Sequence, residues 1–424
     1  MLIHVVQRGD VLWKIADYYG TDVDSIIEVN FIPDSNNLLI GQSLLIPVEE
    51  NNTYTVKAGD TAWKIAQSFG ISVQDLLWEN KILYPDNLYV GQTLYIPERE
   101  KPEIEVNAFT YFLGESAVPV INEVGDALTY ITPFAYLVQE DGTLGPIDDE
   151  AAIGEAIANG VVPMMSVVNF TVNVAGENLA NMVLNNPDTV NILQDNIIET
   201  MREKGYRGLN IDFEYVLPQD REAYNSFLES IADRLHDEGF FLSTSLAPKL
   251  SADQPGILYE AHDYPAHGRI ADFVILMTYE WGWRGSQPRA ISPINEIERV
   301  LDYAVTEIPR DKILMGFQIY ARDWTLPFVP GHKAETISVE EAMRIAYDHN
   351  SQIQYDSLAQ SPFFRYVDDE GNTHEVWFED ARSAQAKFDS VKKYDLRGIS
   401  YWGTGYPFRQ NWALLKENFD IEKL

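Results

Sequence analysis

The stretch VVQRGDVLWKIADYYG at residues 5–20 returns fifty residues later as TVKAGDTAWKIAQSFG. The match runs without a gap from residues 4–47 onto residues 54–97, with 18 of 44 positions identical. Whatever this chain folds into must therefore contain one small unit twice, ahead of a long segment that does not repeat. Each copy predicts strand, helix, helix, strand. A short apolar strand runs into Gly9-Asp10 or Gly59-Asp60, where the Asp is placed to cap a helix ending at Gly20 or Gly70. A second helix is expected near Asp22 or Ser72. The closing strand, LLIP or LYIP, stops at Pro.

The shared pattern GDxxWxIA…G…N…L..GQxLxIP resembles the LysM module, and the resemblance covers each copy in full, over residues 1–48 and 52–98. It implies βααβ units that bind N-acetylglucosamine-containing polymers such as peptidoglycan and chitin. Trp13, Trp63, Ile15 and Ile65 are expected in the module cores. The glycan groove is expected on the loop after the first strand and the loop after the second helix. Those are Gly9, Asp10, Val11, Leu12, Asn30, Phe31, Ile32 and Pro33 in the first copy. In the second they are Gly59, Asp60, Thr61, Ala62, Asn80, Lys81 and Ile82. A weak site repeated on one chain gains apparent affinity on a repeating polymer.

Charge and composition narrow the partners. The formal net charge of −34 repels nucleic acid phosphates and anionic lipid, so neither is an expected partner. Cysteine is absent, which rules out disulfides and thiolate metal sites. The seven His residues show no H-x-x-x-H or similar spacing, so no metal is expected. No run of about 18 apolar residues is present, and the start MLIHVVQRGD lacks a secretory pattern. Aromatic residues are plentiful, as in many carbohydrate binders.

The charged run EREKPEIEV at 98–106 reads as a linker. Beyond it, from residue 103 to 424, apolar runs alternate with helical patterns, as parallel βα units require. Eight candidate strands can be placed, at 107–112, 130–138, 161–168, 208–216, 241–248, 272–280, 312–320 and 398–405. The expected fold is α/β: a (β/α)8 TIM barrel preceded by the two small modules. The last two strands are far apart. An α+β insertion at about 325–390 is expected between strands seven and eight, with a helix capped by Ser338 and a hairpin turning at Asp369–Asn372. Glu335 and Asp380 are expected at its surface.

The fourth strand, GLNIDFEYV, carries the chemistry. Its period of two puts Asn210, Asp212 and Glu214 on one face. In such a barrel that face climbs to the mouth, where Glu214 would stand. Buried unpaired carboxylates cost several kcal/mol, so the pair is either a structural network with basic partners or a functional site. Two carboxylates this close push one another to hold a proton, as a general acid must.

Four motifs resemble glycoside hydrolase family 18, the chitinase-like barrels: GLNIDFE on strand four, MTYE at 277–280, GFQIYARDW at 316–324 and SYWGTG at 400–405. The resemblance covers most of residues 104–424. It implies hydrolysis with retention of configuration and no cofactor. Glu214 would be the acid and base. Asp212 would accept the N–H of the substrate's 2-acetamido group, whose carbonyl is the nucleophile, and Tyr279 would hold that carbonyl. Trp402 would form the floor under the sugar. Gln318, Tyr320 and Arg322 are candidates to line the cleft. Trp281 and Trp283 either stack on sugar or pack under the insertion. The chain departs from the family in having Arg207 and Asn210 for two Asp residues, Phe213 for Trp, and Glu280 for Asp. Asn210 can hydrogen-bond Asp212 but cannot repel its charge.

Modules and barrel together resemble the spore cortex-lytic N-acetylglucosaminidases of endospore-forming bacteria. That implies cleavage after N-acetylglucosamine in cortical peptidoglycan during germination, by an enzyme placed on the spore from the mother cell without a signal peptide. No obligate protein partner is implied. A chitinase is the rival within enzymes. A non-catalytic sugar-binding barrel is the rival outside them, and retention of Glu214 speaks against it.

Overall fold

The computed structural model describes residues 1–48, 53–69, 71–97, 101–170 and 176–424. Module 1 is strand Leu2–Val5, helices Leu12–Tyr19 and Val23–Val29, and strand Ser43–Ile46, with the two strands antiparallel. Module 2 repeats this as Thr53–Thr55, Ala62–Ser68, Val73–Glu79 and Thr93–Tyr95. Ile15 and Ile65 lie in the cores as expected, and Asp22 and Ser72 cap the second helices. Gly20 ends the first helix at φ 73°, while Gly70 lies outside the described residues.

Two module expectations fail. Asp10 and Asp60 cap nothing. They sit one residue upstream of the helix caps, Val11 and Thr61, and instead accept the backbone N–H of Gln7 and Lys57, each at 2.7 Å, closing the turn. Trp13 and Trp63 are not core. They are 62% and 61% exposed. The buried stripe of the first helix is Leu12, Ile15 and Ala16, and a residue one step along a helix turns about 100° away from its predecessor.

Eight parallel strands close a barrel in the order expected. They are Glu103–Thr110, Tyr130–Pro133, Val162–Val168, Gly208–Asp212, Phe241–Leu246, Phe273–Leu276, Ile313–Gln318 and Gly398–Trp402. The last pairs with the first from Gly398 opposite Glu105 to Trp402 opposite Phe109. The expected linker is shorter than the charge pattern suggests. Residues 98–100 lie outside the described residues, and from Glu103 the chain is already barrel strand, with Ile104 and Val106 buried in the apolar shell. Charge on Glu103 and Glu105 hid that alternation. Glu105 is buried against Arg397 at 2.5 Å.

The barrel has two packing zones. Outward side chains such as Val106, Ile131, Leu209, Ile211 and Val274 join the helices in one continuous apolar shell. Inward, Phe109, Tyr130, Met164, Phe273, Ile275 and Leu314 fill the centre. A polar band runs among them: Asn107 donates to Ser400 Oγ at 2.9 Å and accepts from Thr132 at 2.8 Å.

Between strands seven and eight lies a five-stranded antiparallel sheet, with strands Tyr320–Leu326, Glu335–Ser338, Gln354–Asp356, Ser361–Val367 and Thr373–Trp377. Ser338 caps the helix Val339–Asp348. The hairpin before Thr373 is held by Asp368, which accepts Asn372 N–H at 2.8 Å. Asp380 is not at the surface. It is buried as the cap of the helix Ala381–Tyr394 and pairs with Arg382 at 2.6 Å.

Module 1 is docked on the barrel. Leu39 and Leu45 enter the barrel's apolar shell. Ile353 N–H donates to Ile40 O at 2.9 Å, Arg382 to Gly41 O at 3.1 Å, and Tyr347 O–H to Gln42 Oε1 at 2.7 Å. Gln410 donates to Asn30 Oδ1 at 2.6 Å and to Ser43 O at 2.9 Å. Arg382 and Gln410 sit at the starts of barrel helices. Helices run antiparallel to the strands they follow, so these starts lie at the same end as the strand C-termini. The equivalent face of module 2 is open: Tyr89, the counterpart of Leu39, is 71% exposed against 2%. Leu39→Asp should therefore destabilise the protein by about 3 kcal/mol or more, whereas Tyr89→Asp should stay within about 0.5 kcal/mol. Urea unfolding of the two variants checks both.

Candidate active site

Strand four reaches its last ladder pair at Asp212, opposite Val168 of strand three. Asn210 and Asp212 point into the barrel, and both are buried. Asn210 does not bond Asp212 directly. Its Nδ2 donates to Ser243 Oγ at 2.9 Å, and its Oδ1 accepts from Ser245 at 3.2 Å. Ser245 also neighbours the Asp212 carboxyl and favours its ionised form, so it stands between the amide and the acid. Both serines lie on FLSTSL, at inward positions that a period-two reading of strand five could have found. Asp212 Oδ1 is buried and has no hydrogen-bond partner among the described residues.

Burial dominates the electrostatics. It pushes the Asp212 carboxyl well above the usual range, partly offset by the Ser245 hydrogen bond. Burial, then the nearby charges of Asp212 and Glu280, push Glu214 up to about 8. A carboxyl group here holds a proton at neutral pH, which is what general-acid chemistry requires. Burial also raises Tyr279 far above an ordinary phenol, so its hydroxyl stays a donor.

Trp402 closes strand eight beside these groups. Phe109, Phe134 and Tyr111 meet it edge-on at 5.3, 4.8 and 5.6 Å between ring centroids. The Tyr279 ring lies nearly parallel to it, 6.4 Å away and tilted 12°. The aromatic box fixes the plane of the indole. Gly316 makes room for this arrangement: a Cβ there would lie 2.3 Å from Leu276 O and 2.8 Å from the Tyr279 ring.

Glu280, which ends MTYE in a left-handed conformation at φ 67°, accepts from Arg322 at 2.7 Å and from the Tyr320 hydroxyl. Tyr320 and Arg322 are thus buried supports for Glu280. Gln318 is not a lining residue. It is fully buried, its amide donates to Glu379 at 2.9 Å and accepts from Ser292, and Glu379 pairs in turn with buried Lys387 at 2.8 Å. Trp281 packs partly buried against the barrel shell, while Trp283 is 53% exposed.

In the modules, Leu12, Ile32 and Ala62 are buried. Asn30 and Asn80 staple their own folds: each accepts from the closing strand and donates to it, Asn30 to Leu45 O and Asn80 to Tyr95 O, both at 2.6 Å. Phe31 packs towards the barrel. Gly9, Gly59, Thr61 and Lys81 are exposed, and Asp10, Val11, Asp60 and Ile82 are half-buried.

A closed parallel barrel with an inward Asp and a following Glu at the end of strand four, under a boxed Trp, defines a glycoside hydrolase of the chitinase-like kind. The chain belongs to glycosyl hydrolases family 18, whose model matches residues 131–406, and the LysM domain matches residues 4–47 and 54–97. It is 50% identical to the cortical fragment-lytic enzyme of Bacillus subtilis (strain 168), over all of this chain and 99% of that one. The enzyme of the same name from Bacillus anthracis is 45% identical over 99% of both chains. The crystal structure of the Bacillus cereus spore cortex-lytic enzyme SleL superposes with a TM-score of 0.90 at 40% identity, covering 99% of this chain and 98% of that one. The protein is a glycosidase with two LysM domains.

Glu214 binds its proton more tightly folded than unfolded. Below the ordinary carboxylate range, about pH 4, both states keep it and nothing is lost. As pH rises towards 8 the unfolded chain releases it first, and the fold loses stability. Glu214→Gln should match the parent near pH 4 and exceed it in thermal stability above pH 8, as a series of unfolding curves will test.

Proposed function

We propose that the protein cleaves the β-1,4 bond after N-acetylglucosamine in peptidoglycan, with the spore cortex as its substrate. The observation that carries this reading is buried Asp212 with half-buried Glu214 two residues on, at the barrel mouth beside Tyr279 and Trp402. Glu214, protonated, donates its proton to the leaving glycosidic oxygen. The acetamido carbonyl of the same sugar attacks the anomeric carbon as that bond breaks and forms an oxazolinium ion. Asp212, through its unpartnered Oδ1, accepts the acetamido N–H and offsets the positive charge. The Tyr279 hydroxyl donates to the carbonyl oxygen. Glu214, now ionised, takes a proton from the incoming water, and the anomeric configuration is retained. No step calls on a metal or cofactor. A carboxylate nucleophile from the protein, usual in retaining glycosidases, is not needed either, since the nucleophile belongs to the substrate.

The choice of cortex over chitin rests on the relatives named cortical fragment-lytic enzyme and spore cortex-lytic enzyme, which this chain matches end to end. Placement at the spore follows from the same likeness. The LysM domains hold the polymer. The chemistry demands an acetamido group at the −1 position, which N-acetylglucosamine supplies; cleavage after that sugar leaves N-acetylglucosamine as the new reducing end.

Mass spectrometry of digests of purified cortex, vegetative wall and chitin tests the reading. Reducing-end N-acetylglucosamine released fastest from cortex material supports it, faster release from chitin turns it into a chitinase, and no turnover of any of the three refutes it. Glu214→Gln should lower kcat by about 10²–10⁴-fold or more while polymer pull-down is unchanged.

A further inference from the structure

Glu214 lies two residues past the last ladder pair of its strand, so the sheet does not hold its backbone. Side chains do. Glu214 N–H donates to Asn169 Oδ1 at 2.9 Å, and Asn169 Nδ2 donates to Glu214 O at 2.8 Å. Asn169 directly follows strand three, Val162–Val168, and is fully buried. Its amide supplies the two bonds that the next residues of a longer ladder would have made.

On the opposite side, His262 does the same for the neighbouring peptide. Its Nε2 donates to Phe213 O at 3.0 Å, and its Nδ1 accepts from the backbone N–H of Ala247 at 2.8 Å. Ala247 is the residue that follows strand five. Because Nδ1 faces a main-chain donor, the ring proton belongs on Nε2. Burial pushes His262 down to about 4, so the ring stays neutral and keeps this polarity. Immediately beyond, Tyr215 turns the chain away at φ 55°.

We propose that Asn169 and His262 are positioning residues which clamp the Phe213–Glu214 backbone from both sides and so set where the Glu214 carboxyl meets the scissile oxygen. The inference rests on the reading of Glu214 as acid and base. Neither residue touches substrate. Each acts through the main chain of the residue that does. A loosened Glu214 would lose alignment in the transition state more than it would lose substrate binding. It would also take on water and fall back towards an ordinary carboxyl, away from the burial and the Asp212 and Glu280 charges that now raise it.

The experiment is steady-state kinetics of the full chain on soluble cortical fragments across pH, with thermal unfolding of every variant. Asn169→Leu and His262→Leu should lower kcat by about 10–100-fold, an alignment loss of the size expected for displaced catalytic groups. KM should stay within about 2-fold, and the alkaline limb of the kcat profile should move to lower pH. His262→Gln, which keeps one acceptor and one donor, should recover most of the rate. Should a leucine variant fail to fold, Asn169→Ala and the Gln variant carry the test. Unchanged kcat and limb in a folded Asn169 variant, a raised KM with kcat retained, or His262→Gln as slow as His262→Leu would overturn the clamp. Glu214→Gln assayed alongside separates the two ideas: activity in that variant sinks the role of Glu214 itself, whereas its loss beside fully active Asn169 variants sinks only the clamp.

Discussion

The pairing of Gly398–Trp402 with Glu103–Thr110 is the contact on which the rest depends. It joins segments nearly the whole barrel apart in sequence, and it leaves no unpaired edge on the eight-stranded ring. The join is tight: a Cβ on Gly398 would lie 1.8 Å from Glu105 O. Closure sets Trp402 beside Phe109 and encloses the space into which strand four sends its acids. An open sheet would leave Asp212 in water with an ordinary carboxyl. Closed, the same residue is stripped of solvent, and its chemistry changes.

Enclosing polar groups this way has a cost, and the barrel meets it unevenly. Asn107, Thr132 and Ser400 satisfy one another, as do Asn210, Ser243 and Ser245. Glu105 has Arg397, and Glu379 has Lys387. Asp212 alone among these acids is left with a buried oxygen lacking a partner among the described residues. A buried carboxyl oxygen left open at the mouth of the barrel marks the place where the fold gives up polar satisfaction for chemistry.

Sequence carried the architecture well because the signals were periodic. Seven of the eight barrel strands begin within one residue of where apolar runs placed them, the first begins earlier, at Glu103, and the fifty-residue repeat became two βααβ units. The failures have local causes. Trp13 and Trp63 looked like core because large aromatics usually are, but helical phase turns them outward. Asp10 and Asp60 looked like caps because only one residue separates a cap from the turn before it. Gln318 has the right motif and the wrong surroundings, since nothing in GFQIY reveals that Ser292 and Glu379 occupy its amide. Asn169 and His262 carry no motif at all. Their significance arises from which main-chain atoms lie within 3 Å, and that is a property of the folded chain alone.

Module 1 does not hang from the enzyme. Its closing strand and adjoining loop are fastened to the starts of barrel helices, at the end of the barrel where the cleft opens. Any surface on which that module rests therefore meets the cleft at one standing angle. Rotation is settled before catalysis begins, and what remains of the search for a bond is translation along the strand.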